Sequence, residues 1–211
     1  MAKKEKDANS PASVDKPKIE IRSWKVLQKY WDEAFLIADR GVLQIFIATV
    51  LGNQLDQDPI WLHLIAPPSS GKTEFIDSIK KVIKDDKELV FPISDLTVNT
   101  FASGQKGKDT SLLNEVRRGS IIVFKDFTSM ISKEPVAQKA IMGQLREIYD
   151  KSYVKRTGNG KKVLWEGKIG IITGCTQVIY NQSEEFAAMG DRFMMYQIKQ
   201  PDEKKALWKV Y

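Results

Sequence analysis

The stretch from Pro59 to Lys84, PIWLHLIAPPSSGKTEFIDSIKKVIK, limits what this chain can fold into more than any other. An apolar run, Ile60 to Ile65, leads into a turn of prolines and serines, and Phe75, Ile76, Ile79, Val82 and Ile83 then recur as in an amphipathic helix. The pattern predicts strand, loop, helix. Its turn, Ala66-Pro67-Pro68-Ser69-Ser70-Gly71-Lys72-Thr73, follows the phosphate-binding spacing G-x-x-x-x-G-K-[ST], with Ala66 where the first glycine usually stands. In such a turn, backbone N–H groups face a polyphosphate, the Lys72 ammonium reaches its outer phosphates, and the Thr73 hydroxyl ligates Mg²⁺. A Ser-Pro turn capping an ordinary helix is the competing reading. The apolar strand before the turn and the amphipathic run after it favour a nucleoside-triphosphate site.

At 211 residues the chain has room for one α/β domain and a small appendage. With 42% hydrophobic and 28% charged residues, wholesale disorder is excluded. Cys175 is the single cysteine and His63 the single histidine, which rules out an internal disulfide and a Cys/His zinc cluster and fits a reducing cytoplasm. The start, MAKKEKDANSPASVDKPK, lacks the apolar segment of a signal peptide. Val42 to Leu51, the best apolar run, has about half of the ~20 residues that a membrane span needs. A cytoplasmic protein without a membrane partner is expected. The net charge of +6 suggests an acidic partner such as nucleic acid.

Residues 1–20 read as a disordered arm. Over 21–57 the expectation is N-terminal helices packed on the core: Trp24, Leu27, Tyr30 and Trp31 recur at helical spacing from Ser23, and GVLQIFIATVLGNQL, from Gly41, is apolar almost all round, as in an enclosed helix. The core is expected over 58–200. Glu88 to Ile93 reads as a strand in which Pro92 suits an end or an edge. Ser111 to Arg118 reads as a short helix capped by Gly119, and Ser120 to Phe124 as a doubly covered parallel strand. Pro135 to Asp150 is a helix with Ile141, Leu145 and Ile148 on one face. A hairpin over 152–166 turns at Gly158-Asn159-Gly160. Lys168 to Gly174 and Met194 to Ile198 are further strands, with a short helix or loop from Gln182 to Met189.

The strand from Ser120 ends in Lys125-Asp126-Phe127-Thr128, and an acid at such a tip holds Mg²⁺ directly or through water. An Asp at an ordinary strand-to-loop turn is the alternative for Asp126. Only one acid stands there, so Asp126 serves both ends of the chemistry, another residue orients the water, or hydrolysis is slow. Between Lys151 and Lys168 six Lys or Arg face one acid, Glu166, a net +5 of the chain's +6. Lys155, Arg156, Lys161 and Lys162 are therefore candidate contacts for nucleic-acid phosphates, against the plainer reading of a solvated hairpin blunting a sheet edge. Thr176 is a candidate for the outermost phosphate or a satisfied buried Thr. His63 reads as a core histidine and Cys175 as a small buried apolar residue.

The order of these parts (phosphate loop, acidic strand tip, helix, basic hairpin, polar strand tip, then Gly190-Asp191-Arg192-Phe193) resembles the AAA+ ATPase core over roughly Gly41 to Gln200. Within that group it resembles the branch with a hairpin before the sensor-1 strand, which includes minichromosome-maintenance-type and viral or phage replicative helicases. The resemblance implies a parallel central sheet with flanking helices and ATP with Mg²⁺ as ligands. It makes 66–73 the Walker A turn, Asp126 the Walker B acid and Thr176 the sensor-1 residue. Arg192 becomes an arginine finger that reaches a neighbour's nucleotide in a ring or filament. Single-stranded or duplex DNA and a replication or recombination protein are the implied partners. Ala66, the missing second acid and an absent or truncated helical lid, with 201–211 as its start or a C-terminal tail, depart from that pattern. They leave an ATP-dependent assembly switch or scaffold as the alternative to a helicase-like motor or loader. A small-molecule kinase is the weaker third reading, since it gives the basic hairpin no purpose.

Overall fold

The computed structural model describes residues 23–34, 39–68, 70–80, 82–84, 87–102, 111–156, 162–181 and 189–199. The chain divides into two compact units, residues 1–36 and 37–211. In the first, α1 (Trp24–Ala34) starts where expected, with the Val26 N–H donating to the Ser23 hydroxyl at 3.3 Å as a helix cap. The second unit is α/β and carries every strand among the described residues.

Its centre is a five-stranded parallel sheet in the order β4-β5-β8-β1-β9, where β1 is Trp61–Ile65, β4 Val90–Ile93, β5 Ser120–Phe124, β8 Ile169–Cys175 and β9 Phe193–Gln197. Every residue of β1, β5 and β8 is buried, which is why these strands read as unbroken apolar runs rather than alternating ones. Pairing places Phe91, Ile122, Ile171, Trp61 and Phe193 in one row across the sheet. On that face Ile141, Met142, Leu145 and Ile148 of α6 (Pro135–Tyr149) complete the main apolar cluster. On the other face, α2 (Gly41–Gly52) comes down at Gly170, where a Cβ would lie 2.3 Å from the Asn53 amide nitrogen. Asn53 is held there by donating to the Thr49 and Ile60 carbonyls and accepting from the Ile60 N–H. Trp61, fully buried, donates its indole N–H to the Ile169 carbonyl. Buried side chains of this size contribute about 1.5–3 kcal/mol each. The amino end of β1 is thereby fixed before any loop is considered.

Three expectations are corrected. The helix after the 66–73 turn, α3, spans only Lys72–Ser78. Asp77 is tied sideways to Lys80 and Lys125, the chain turns at 79–80, and residues 83–84 form a short antiparallel pair, β2 (Ile83–Lys84) with β3 (Lys87–Glu88). The helix before Gly119 is a single turn, α4 (Leu112–Glu115), because Val116 turns extended and buries its side chain. Gly119 has the positive φ of 83° that favoured glycine there, but it enters β5 and donates to the Lys168 carbonyl instead of capping a helix. The apolar α2 is not enclosed: Val42, Leu43, Phe46 and Thr49 are buried, whereas Leu51 is exposed, as is Leu55 beyond the helix end. Pro92 does lie in the edge strand β4. β6 (Ser152–Arg156) pairs antiparallel with β7 (Lys162–Glu166), forming the expected hairpin apart from the sheet. The remaining helical turns are α5 (Thr128–Ile131) and 3₁₀ turns at Gln177–Asn181 and Gly190–Arg192. Among the described residues no helix is long and apolar enough to cross a membrane. The expected disordered arm over 1–20, the Gly158-Asn159-Gly160 tip, the segment 182–188 and the 201–211 tail lie outside the described residues.

Candidate functional site

From β1 the chain crosses to β4 at one edge and returns through β5 to β8; from β8 it crosses over β1 to β9 at the other edge. The direction of winding thus reverses between β8 and β1. In open parallel sheets ligands bind outside the carboxyl ends of the strands at such a reversal. The 66–73 turn leaves β1 there and Thr176 leaves β8 there, joined by the Ala66 N–H donating to the Cys175 carbonyl at 3.1 Å.

Ala66 is buried, Pro67 and Pro68 are exposed and Ser70 is half-buried; Ser69 lies outside the described residues. The turn's backbone closes through Gly71, whose φ of 80° is left-handed and whose Cβ position is open space. Glycine is required there by conformation alone. The first helical bond of α3 runs from the Phe75 N–H to the Gly71 carbonyl, so the N–H groups of Lys72, Thr73 and Glu74 precede the helical ladder. The Lys72 ammonium folds back onto its own turn, donating to the Ala66 and Pro67 carbonyls at 2.6 Å each and to the Ser70 hydroxyl at 3.4 Å. Burial holds its pKa below the ordinary lysine value, opposed by the charge of Asp126. Lys72 and Asp126 therefore act on each other electrostatically across the β8 tip.

Asp126 follows β5 and is exposed; its carboxylate accepts from the Thr128 N–H at 2.9 Å, fixing the turn into α5. Thr73 is exposed on the first turn of α3. The residue after Asp126 points the other way. Phe127 is fully buried, with its ring against His63 and Phe193, and its N–H donates to the Gly174 carbonyl. A second acid at that position is incompatible with this packing, which is a physical reason for its absence. Thr128 instead faces the site: its hydroxyl accepts from the Thr176 N–H at 3.2 Å and lies 3.4 Å from the Thr176 hydroxyl. Reading the sequence found Thr176 and missed Thr128; hydroxyls two residues beyond an acidic strand tip were the available signal. Beneath, His63 stacks on Phe193 with ring centres 3.9 Å apart and bonds the Thr173 hydroxyl, and burial pushes its pKa down to about 3. Burial pushes the Cys175 thiol up to about 12. Both are core groups, as expected.

Arg192 lies elsewhere. It precedes β9, and the pairing of Trp61 with Phe193 sets it at the level of Ile60, six residues before Ala66. At about 3.3 Å per strand residue this is about 20 Å from the 66–73 turn. It sits at the amino ends of the strands, donating to the Met189 carbonyl and to Asp150, over the Tyr149 ring.

The hairpin sorts its basic residues by face. Tyr153, Lys155, Val163 and Trp165 share the more buried face, while Val154, Arg156, Lys162 and Leu164 are exposed on the other. Arg156 and Lys162 are directly opposite one another, a like-charge pair that an anion would relieve. Lys155 is occupied: its ammonium donates to the Val98 and Ala102 carbonyls at 2.8 and 3.1 Å and to the Asn99 side chain at 3.4 Å, and burial lowers its pKa. Lys161 lies outside the described residues. Comparisons with family models and with curated proteins give no match.

Proposed function

We propose that this chain binds and hydrolyses ATP as an AAA+ type P-loop protein and acts on nucleic acid as a helicase-like motor or loader, each site being completed by a neighbouring copy. The observation that carries the reading is the convergence of the 66–73 turn, Lys72, Asp126 and the Thr128–Thr176 pair where the sheet's winding reverses. The donor set fits a nucleoside triphosphate with Mg²⁺. Thr73 and Asp126 offer two exposed oxygens, and among the described residues no group of three or more His, Cys, Asp or Glu forms a closed metal cage. Mg²⁺ takes few protein ligands and completes its shell with water and phosphate.

When bound, Mg²⁺ neutralises charge on the phosphate oxygens and orients them. Lys72 exchanges its carbonyl partners for the outer phosphates, a charge-assisted contact stronger than the one it leaves. Gly71 and the N–H groups after it bind the polyphosphate backbone. Thr176, braced by Thr128, orients the attacking water by hydrogen bonding and takes up part of the role of the absent second acid. Arg192 of the next copy supplies positive charge as charge develops on the transferred group. In other nucleotidases such a residue is worth ~10³ to 10⁵ in rate. A finger about 20 Å from its own phosphate turn requires a head-to-tail contact, which closes into rings or runs on as filaments. Arg156 and Lys162 meet nucleic-acid phosphates, a contact that weakens with salt and carries no base information.

ATPase turnover across a titration of single-stranded DNA tests the proposal, with stimulation expected. Mixing Arg192→Ala subunits with Lys72→Ala subunits should restore activity at mixed interfaces; failure at every ratio would remove the trans finger. The burial of Phe127 where a second acid would stand favours one alternative, an ATP-dependent assembly switch. It predicts tight nucleotide binding and assembly with turnover indifferent to DNA.

A further inference from the structure

The contacts of Arg192 carry an inference that rests on its reading as a trans-acting residue. Both terminal guanidinium nitrogens are engaged within the chain, one with the Met189 carbonyl at 2.9 Å and the other with the Asp150 carboxylate at 3.3 Å. The guanidinium carbon lies 5.3 Å from the centre of the Tyr149 ring, while the buried Nε finds no acceptor among the described residues. A guanidinium in this arrangement cannot present two parallel N–H groups to a phosphate, which is how arginine recognises one. To act on a neighbour it must leave Asp150 and Met189. The vacant Nε leaves its hydrogen bonding incomplete where it now lies.

Asp150 is also the first residue past α6, its N–H donating to the Arg146 carbonyl, and β6 of the basic hairpin begins two residues later. Between them Lys151 takes a left-handed φ of 66°, unusual for a non-glycine residue. Its N–H donates to the Ile148 carbonyl, its own carbonyl accepts from Gly167 at the hairpin's other end, and its ammonium pairs with Asp58 at 2.7 Å. The hairpin base and the partner of Arg192 are therefore one short tightly bonded segment.

We propose that Asp150 is a positioning residue that holds Arg192 back in the resting subunit, and that load on the hairpin, transmitted through Lys151, releases it toward the neighbour's nucleotide. The hold is a partly exposed ion pair, so removing it should change rates by roughly two- to five-fold rather than by orders of magnitude.

Asp150→Asn keeps the shape and removes the charge. In nucleotide-free protein carrying ¹⁵N-arginine, the Arg192 Nε–H signal, identified by its loss in Arg192→Lys, should show solvent exchange about two- to five-fold faster in Asp150→Asn. Unchanged exchange would overturn the hold. In turnover assays the variant should show a basal rate two- to five-fold higher, DNA stimulation reduced by the same factor and nucleotide affinity unchanged, with Asp150→Glu restoring part of the restraint. A basal rate that is unchanged or lower would overturn the restraint. If Arg192→Ala leaves wild-type turnover intact, the trans-finger reading fails and takes the restraint's function with it. The exchange measurement then still reports whether the ion pair holds Arg192.

Discussion

At the carboxyl ends of the sheet, the side chains that matter have few or replaceable partners. Asp126 and Thr73 are exposed, Gly71 faces open space, and the Lys72 ammonium is bonded to two carbonyls and a hydroxyl of its own turn. At the amino ends the reverse holds: Arg192 is bound to Asp150 and Met189, and the buried Lys168 donates to the Gly52 and Leu55 carbonyls at the end of α2. One end of the sheet presents accessible side chains and the other is closed on itself. Open groups read as binding groups in place, whereas closed ones are structural or require release.

The largest expected effect tests that division. Arg192→Ala should lower turnover in the assembled state by ~10³-fold or more while leaving nucleotide affinity of an isolated subunit within about two-fold. If the isolated subunit loses affinity, the two ends are not separate. Lys72→Ala should differ in affinity, with nucleotide binding as well as turnover falling by ~10²-fold or more and thermal unfolding nearly unchanged.

His63 lies in β1, which runs between the two ends. Its folded pKa of about 3 is below the ordinary value of 6.5, so the unfolded chain takes up the proton first. Its contribution is complete above about pH 6.5 and is lost as the pH falls toward 3, approaching ~1.4 kcal/mol per pH unit in the middle of that range. Denaturant unfolding from pH 7 to 4 should show this slope, and His63→Phe should flatten it.

Smaller effects separate conformation from contact. Gly71→Ala should cost about 1–2 kcal/mol through the left-handed backbone, although no atom lies within 4 Å of the new methyl. Gly143→Ala, inside α6 and equally unobstructed, should stabilise by about 0.5–1 kcal/mol. Calorimetric melting that moved both in one direction would refute the assignment. In the hairpin, Arg156→Ala with Lys162→Ala should flatten the salt dependence of DNA binding by about 2 in slope, with little change in melting. Lys155→Met should lower the melting temperature, since it removes the ammonium donor to the Ala102 carbonyl and leaves the Val98 carbonyl with Gln144 alone of its two side-chain donors.

The 66–73 turn, Asp126 and the β1, β5 and β8 strands were legible because each depends on local chemistry: a spacing of Gly, Lys and Thr, or an unbroken apolar run. Charge counting found the hairpin but could not distinguish Lys155 from Arg156. That distinction depends on which face of a two-residue period meets the 97–102 loop, a contact between segments over fifty residues apart. Helix ends failed for a related reason: α3 stops at Ser78, where Asp77 is tied to Lys80 and to Lys125 at the end of β5.

The sequence alone determined an α/β chain with a Gly-Lys-Thr turn after its first core strand, because backbone freedom at Gly71, the charge of Lys72 and apolar periodicity are properties of short segments. Tertiary structure alone decided that β8 lies between the strands leading to Lys72 and Asp126, that Phe127 fills the place of a second acid, and that Arg192 stands about 20 Å away on Asp150. Strand order and register bring together residues far apart in the chain, and no local pattern encodes which residues those are.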